Sequence, residues 1–104
     1  MASSRIPGLY KLPVLERRGK IVEYASLTRE EEQALAFGGL SEEAGDRMIE
    51  NVVGTMGMPF GVAVNFLING REYVVPMVLE EPSVVAAASN MAKAVRESGG
   101  FQAS

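Results

Sequence analysis

The sequence has no cysteine, no histidine and no tryptophan. Without cysteine there is no disulfide framework, no thiolate metal site and no thiol nucleophile, a composition that fits a reducing compartment. Without histidine the chain lacks the commonest general acid/base and the commonest nitrogen ligand for a metal. No apolar run approaches the roughly 18 residues that a membrane span needs. The opening Met-Ala-Ser-Ser-Arg has no apolar stretch of the kind that marks a secretory signal. Charge of one sign is scarce too: the formal net charge is −3, and there is no Lys/Arg block. That leaves no electrostatic footprint for nucleic acid or for a membrane surface. What is present is an ordinary globular composition, 104 residues of which 47% are hydrophobic and 22% charged. Such a chain is one small domain's worth of sequence, able to bury roughly two-thirds of its unfolded surface. It reads as soluble and cytoplasmic.

Residues 1–12 read as an irregular arm. Pro7-Gly8 forbids a helix, yet Ile6, Leu9, Tyr10 and Leu12 are too apolar for a free tail. The arm packs either on its own domain or on a second subunit. Pro13 opens a helix of about ten residues, with Val14, Arg18, Ile21 and Ala25 in line and Glu16 and Lys20 paired at i,i+4. Thr28-Arg29-Glu30-Glu31 is a capping box, predicting a helix that runs to Phe37 and stops at Gly38-Gly39. Ser41 is the next N-cap, ahead of a helix reaching Glu50. Gly54, Gly57 and Gly61 then mark a connector without helical period. A phosphate loop there lacks both the G-x-G-x-x-G spacing and a following Lys-Ser/Thr.

The segment from about 60 to 79 is a β-hairpin closed by Asn69-Gly70, a pair suited to a type I′ turn. That turn sets Ile68 opposite Arg71, Phe66 opposite Tyr73 and Val64 opposite Val75. Both faces are largely apolar, so the hairpin belongs inside something larger. The last helix spans about 82–97, with Pro82 at its first position, a stripe of Val84, Ala88, Met91 and Val95, and a stop at Gly99-Gly100. The stripe reads as core or subunit packing, with Lys93, Arg96 and Glu97 on the polar side. Glu80 and Glu81 fall between strand and helix. An acid there either caps the helix or stands in a cleft as a proton donor; local rules favour the cap. The fold class is α+β: short N-terminal helices, a hairpin and a C-terminal helix.

The order of motifs carries more than any one of them. Ser4-Arg5-Ile6-Pro7-Gly8, Asp46-Arg47-Met48-Ile49-Glu50-Asn51-Val52-Val53-Gly54, Pro59-Phe60-Gly61-Val62-Ala63, Asn69-Gly70-Arg71, Glu80-Glu81-Pro82-Ser83-Val84-Val85-Ala86-Ala87-Ala88-Ser89 and Gly99-Gly100-Phe101 follow one another. The set closely resembles the N-terminal part of class II 3-hydroxy-3-methylglutaryl-CoA (HMG-CoA) reductase, over nearly the whole chain.

The resemblance implies that residues 1–104 belong to the large, acyl-CoA-binding domain of a dimeric α+β enzyme. The small NAD(P)H domain is inserted just after Gly-Gly-Phe and is absent from this chain. The implied reaction reduces a CoA thioester to an alcohol, with NADPH or NADH as cofactor and no metal, and interconverts HMG-CoA with mevalonate and CoA. Of the family's catalytic Glu, Lys, Asp and His, the Glu maps to Glu81. Ser83 maps to a contact with the hydroxymethylglutaryl group. Lys93, Lys11 and Arg5 are the candidates for CoA phosphates. The homodimer is expected to form through the N-terminal helices and Glu50-Asn51-Val52-Val53-Gly54. The remaining catalytic residues are expected beyond residue 104, which makes this chain an incomplete reductase, inactive by itself. The alternative is a free-standing dimerisation or interaction module, or one half of a split enzyme. The reductase reading expects apolar faces left uncovered on the hairpin and last helix.

Overall fold

The computed structural model describes residues 2–104. Four helices and one hairpin follow in the order α1 (Val14–Ala25), α2 (Arg29–Phe37), α3 (Glu42–Asp46), β1 (Phe60–Ile68), β2 (Arg71–Val78) and α4 (Val84–Glu97). The architecture is α+β, as the sequence predicts.

Local chemistry sets most of the boundaries. The Glu31 N–H donates to Thr28 Oγ1 at 3.1 Å and the Thr28 N–H to Glu31 Oε1 at 2.9 Å, so the capping box is formed in both directions. α2 stops at Gly38, whose φ of 86° is left-handed. Ser41 caps α3 by accepting from the Ala44 N–H at 3.1 Å. α3 ends at Asp46 rather than at Glu50, because turns through Met48 and a left-handed Asn51 (φ 58°) carry the chain away.

The hairpin turn is as expected, with Asn69 and Gly70 at φ 50° and 76° and with the pairs Ile68–Arg71 and Phe66–Tyr73. Beyond Phe66 the register departs from the alternation. Val75 lies opposite Ala63 instead of Val64, because Val64 and Asn65 together oppose Val74 in a bulge. Asn65 takes the left-handed φ of 74° that the bulge requires.

α4 crosses β1, and small residues let it lie close. Ala63 and Ala92 are fully buried, and a Cβ added at Gly61 would meet Val85 of α4 at 3.5 Å. The helix is rotated relative to the predicted stripe. Met91 is 62% exposed, whereas Ala92 and Arg96 face inward. Arg96 can leave the polar side because a carboxylate waits for it. The start also differs: Ser83, at φ 75°, is the N-cap and Pro82 lies outside the helix. A left-handed residue cannot continue a right-handed helix, so α4 begins two residues after the proline.

Both ends of the chain are tied to the hairpin. The Asn65 N–H donates to the Ser4 carbonyl at 2.9 Å, and Ser4 is fully buried. The arm therefore packs on its own chain at this point. After Gly99-Gly100, Phe101 runs parallel to Ile68, donates its N–H to the Leu67 carbonyl at 2.8 Å, and stacks on Phe66 with ring centroids 5.6 Å apart. The Gly100 backbone, pressed on Leu67, lets the chain make this contact.

The core is thin. Leu9, Ala63 and Ala92 are its buried apolar residues, while Phe37, Met48, Ile49, Val53, Met56 and Phe60 stand more than half exposed. The radius of gyration is 16.1 Å, against about 13 Å for a compact chain of this length. The accessible surface is 7959 Å², where a compact monomer of this mass shows about 5,700 Å².

Candidate functional site

Two walls enclose the main cleft. One is the arm, with every residue from Arg5 to Tyr10 lining it; the other runs the length of α4, from Ser83 through Val85, Ser89, Asn90 and Lys93 to Arg96 and Glu97. Val62, Val64 and Asn65 of β1 form the floor. The cleft holds about 990 Å³, at the upper end of what small-molecule and cofactor sites occupy.

The floor and the helix are fixed to each other through the bulge. Ser89 Oγ accepts the Val64 N–H at 3.0 Å, and Asn65 Nδ2 donates to the Ser89 carbonyl at 3.1 Å. The bulge thus turns backbone groups of β1 from the hairpin ladder toward α4, which positions Ser89 and the helix turns on either side.

Arg5, Arg17, Lys93 and Arg96 bring positive charge to the cleft, against the single acid Glu97. Arg17 and Arg96 are committed to protein groups. Arg17 donates to the carbonyls of Leu9, Tyr10 and Leu12 at 3.2, 3.2 and 2.6 Å. Arg96 donates to Glu72 and, at 3.0 Å, to the Asn65 carbonyl. The Arg5 and Lys93 side chains make no hydrogen bond or ion pair among the described residues. They are the cations left for an anionic ligand.

Glu72 anchors this region. The hydrogen bond from Arg96 holds its carboxyl at about 2, well below the ordinary 4.5, with help from the Ser4 N–H and hydroxyl against the cost of burial. Burial, and then the Glu72 charge, pushes the Tyr24 phenol above its usual range.

Of the residues singled out from sequence, the cleft brings together Arg5, Ser83 and Lys93. Lys11 is outside it, its ammonium 5.7 Å from the Tyr10 ring centroid. Glu81 stands exposed two residues before the α4 N-cap. The first turn of α4 contains no acid, and the Ser83 side chain makes no capping bond. The helix-cap role that local rules favour for Glu81 is therefore unfilled.

These features can be set beside known proteins. A sequence model of the hydroxymethylglutaryl-coenzyme A reductase family matches residues 13–104. The chain belongs to this family. It is 60% identical over 99 residues to the 3-hydroxy-3-methylglutaryl-coenzyme A reductase of Archaeoglobus fulgidus, covering 95% of this chain and 23% of that protein. A probable reductase of the same name from Borreliella burgdorferi is 36% identical over 80 residues, or 77% of this chain and 18% of the relative. Among solved structures, the Streptococcus pneumoniae reductase superposes with a TM-score of 0.82 at 40% identity, over 92% of this chain and 23% of that one. A class II S. pneumoniae reductase bound to NADPH in open conformations gives the same score and identity, over 92% of this chain and 26% of its own. The chain thus spans about a quarter or less of the reductases it matches.

Sequence reasoning missed Asn65, Ser89, Glu72 and Arg96 as residues that shape this reductase-family cleft. Asn65 carried a signal, being the polar residue inside the apolar run from Val62 to Ile68. Glu72 and Arg96 carried none, since their partnership joins positions 24 residues apart across two elements.

Proposed function

We propose that residues 1–104 form the N-terminal part of the large domain of an NAD(P)H-dependent HMG-CoA reductase, which interconverts HMG-CoA with mevalonate and CoA. The observation that carries this is the cleft. Family membership supplies the substrate class, and the cleft adds unpaired cations, Arg5 and Lys93, beside Ser83 and the strand-to-helix junction.

In this reading Glu81 is the proton donor. Reduction of a thioester carbonyl builds charge on oxygen, and a nearby acid quenches it. A carboxyl can do so near neutral pH only when burial or a neighbouring charge raises its pKa. Glu81 is exposed in the isolated chain, so the reading requires the rest of the enzyme to cover it. Ser83 contacts the hydroxymethylglutaryl group, and Arg5 and Lys93 meet CoA phosphates. Lys11 has the weaker claim because it lies beyond the cleft.

These residues do not fit a dinucleotide. Residues 52–59 carry glycines without a helix behind them, and the binding of a pyrophosphate in a glycine-rich turn rests on a helix N-terminus. NADPH or NADH is therefore assigned to the part of the enzyme outside this segment. NADPH bound to a class II S. pneumoniae relative supports the cofactor class.

The homodimer belongs to the same proposal. The apolar side chains left in water lie mostly between Phe37 and Phe60, around Glu50-Asn51-Val52-Val53-Gly54, and the hairpin and last helix add Tyr73, Val78 and Met91. The surface beyond that of a compact monomer is about 2,300 Å², the scale that an obligate contact or the remainder of a domain covers. A cytoplasmic location is in keeping with this, and no helix among the described residues is long and apolar enough to cross a membrane.

The test is HMG-CoA-dependent oxidation of NAD(P)H by the full-length protein, by its Glu81→Gln variant and by residues 1–104 alone. The full-length protein is expected to turn over. Glu81→Gln should abolish turnover while light scattering still reports a dimer, and the isolated segment should be inactive. Turnover by the isolated segment, or an active Glu81→Gln enzyme, would overturn the proposal. Loss of the dimer on Glu81→Gln would make that residue structural.

A further inference from the structure

The arm has little of its own to hold it against the cleft. Its hydrogen bonds from Leu9 to Ile6, Lys11 to Gly8 and Leu12 to Leu9 are all internal. Leu9 is buried, but Arg5, Pro7 and Tyr10 are exposed. Polar attachment to the rest of the chain comes at two points. The first is at Ser3-Ser4, where the Ser3 hydroxyl donates to Glu72 Oε1 at 3.3 Å and Ser4 offers its carbonyl to the Asn65 N–H at 2.9 Å. The Ser4 N–H and hydroxyl donate to Glu72 Oε1 at 2.8 and 3.0 Å, and the hydroxyl also reaches the Phe66 carbonyl at 2.9 Å. Arg96 holds the same carboxylate from the helix side. The second is Arg17 of α1, which gathers the carbonyls of Leu9, Tyr10 and Leu12. Between these points residues 5–8 span the cleft wall without any other backbone bond to the hairpin or to α4.

We propose that residues 5–8 are a strap pinned at both ends, and that Ser4, Glu72, Arg96 and Arg17 are positioning residues that keep it as a wall of the acyl-CoA cleft. The inference deepens the reductase reading and rests on it for the ligand. The strap carries Arg5, one of the unpaired cations of the cleft. Releasing the Ser4 pin removes both a wall and a charge from the site. The α4 wall stays where it is, because Ser89 and Asn65 fasten it independently. The pins thus act on affinity for the CoA thioester and leave the reacting end of the substrate to Glu81 and Ser83.

The test uses the full-length enzyme and Ser4→Leu. A fully buried serine leaves no room for leucine, so the arm must leave, while the Glu72–Arg96 pair keeps its charges. Two readouts are needed: hydrogen exchange of the amides of residues 5–12, and steady-state kinetics with HMG-CoA and NAD(P)H. Arm amides are expected to exchange about tenfold faster while the amides of residues 71–78 stay protected. KM for HMG-CoA is expected to rise about tenfold, with kcat and KM for NAD(P)H within about twofold of the parent. Arg96→Met should also speed exchange of the arm amides, and Arg96→Lys should restore part of their protection, since lysine keeps the charge without the fork. Faster arm exchange with unchanged KM would overturn the proposal, as would a raised KM with the arm still protected. If Ser4→Leu does not fold, Ser4→Ala carries the same two readouts with smaller expected changes. Absence of turnover in the parent enzyme would sink the reductase reading instead, and arm exchange would still decide whether the pins hold.

Discussion

Arg96 Nη2 stands 2.9 Å from Glu72 Oε2, and Nη1 stands 3.3 Å from Oε1, so the last turn of α4 grips the second hairpin strand through a two-pronged ion pair. The side chains retain only 15% and 18% exposure. A pair that far out of water needs its remaining hydrogen-bonding capacity satisfied to be stabilising at all. Here Ser4 fills the carboxylate and the Asn65 carbonyl fills the guanidinium. One cluster therefore joins arm, bulge, strand and helix in a chain whose apolar core is too small to do so.

The first expected outcome concerns acid. Glu72 titrates at about 2 in the folded chain, below the ordinary 4.5. A depressed carboxyl contributes its full stabilisation above the ordinary value and loses it as pH falls toward the folded one. Stability should thus drop between about pH 4.5 and 2, and Glu72→Gln should remove that part of the pH dependence. A carbon NMR titration of the Glu72 carboxyl checks it directly. A midpoint near 4.5 would mean that the ion pair does not persist in solution.

Removing one partner of this pair should cost more than its mutual attraction suggests, because the other charge stays half-desolvated. Arg96→Met is expected to destabilise by about 3 kcal/mol in denaturant melts. Arg96→Lys should cost less, since the charge remains and only the two-pronged geometry goes. Equal losses for both variants would show that packing of the long side chain, rather than charge, is what matters.

Legibility from sequence follows the range of the interactions. The Asn69-Gly70 turn, the Thr28–Glu31 box and the Ser41 cap depend on residues within three or four positions of each other, and all formed as read. The bulge was hidden because Val62, Ala63 and Val64 are apolar whichever way they face, so a slip of register leaves no trace in the pattern. The α4 start was misplaced because Ser83 adopts a left-handed conformation that a serine does not advertise. Ser4, Glu72 and Arg96 meet across separations of 24 to 92 residues, beyond any local rule. The family motifs pointed to Glu81 among the two adjacent acids, but the sequence put Arg5, which lines the cleft, on the same footing as Lys11, which does not.

Gly100 offers a test of how the C-terminal end is held. Its φ is 86°, and a Cβ there would lie 2.6 Å from the Leu67 carbonyl oxygen and 3.0 Å from the Leu67 side chain. Gly100→Ala therefore combines left-handed strain of about 1–2 kcal/mol with a collision against backbone. The Phe101 N–H bond to Leu67 and the stack on Phe66 should be lost together. Disappearance of ring-to-ring NOEs between Phe66 and Phe101, with a lowered unfolding midpoint, is the expected result. Retained NOEs would mean that residues 99–101 can reach the same contact by another backbone path.

Asn65 separates conformation from hydrogen bonding. Its left-handed φ suits Asn and Gly and excludes β-branched residues, while its side-chain amide bonds the Ser89 carbonyl. Asn65→Gly keeps the bulge and loses one hydrogen bond, a cost of about 1 kcal/mol. Asn65→Val loses the bond and resists the bulge as well, for about 3 kcal/mol in all. The structural consequence should differ in kind. With valine the hairpin gains by dropping the bulge, which brings Val64 opposite Val75 as simple alternation would have it. The Val64 N–H then turns away from Ser89 Oγ, and the Ser4 carbonyl loses its donor. Hydrogen exchange of the Val64 amide and cross-strand NOEs from Val75 report the two registers separately. An Asn65→Val chain that keeps Ala63 opposite Val75 would show that the seating of α4, and not the conformational preference of residue 65, holds the bulge in place.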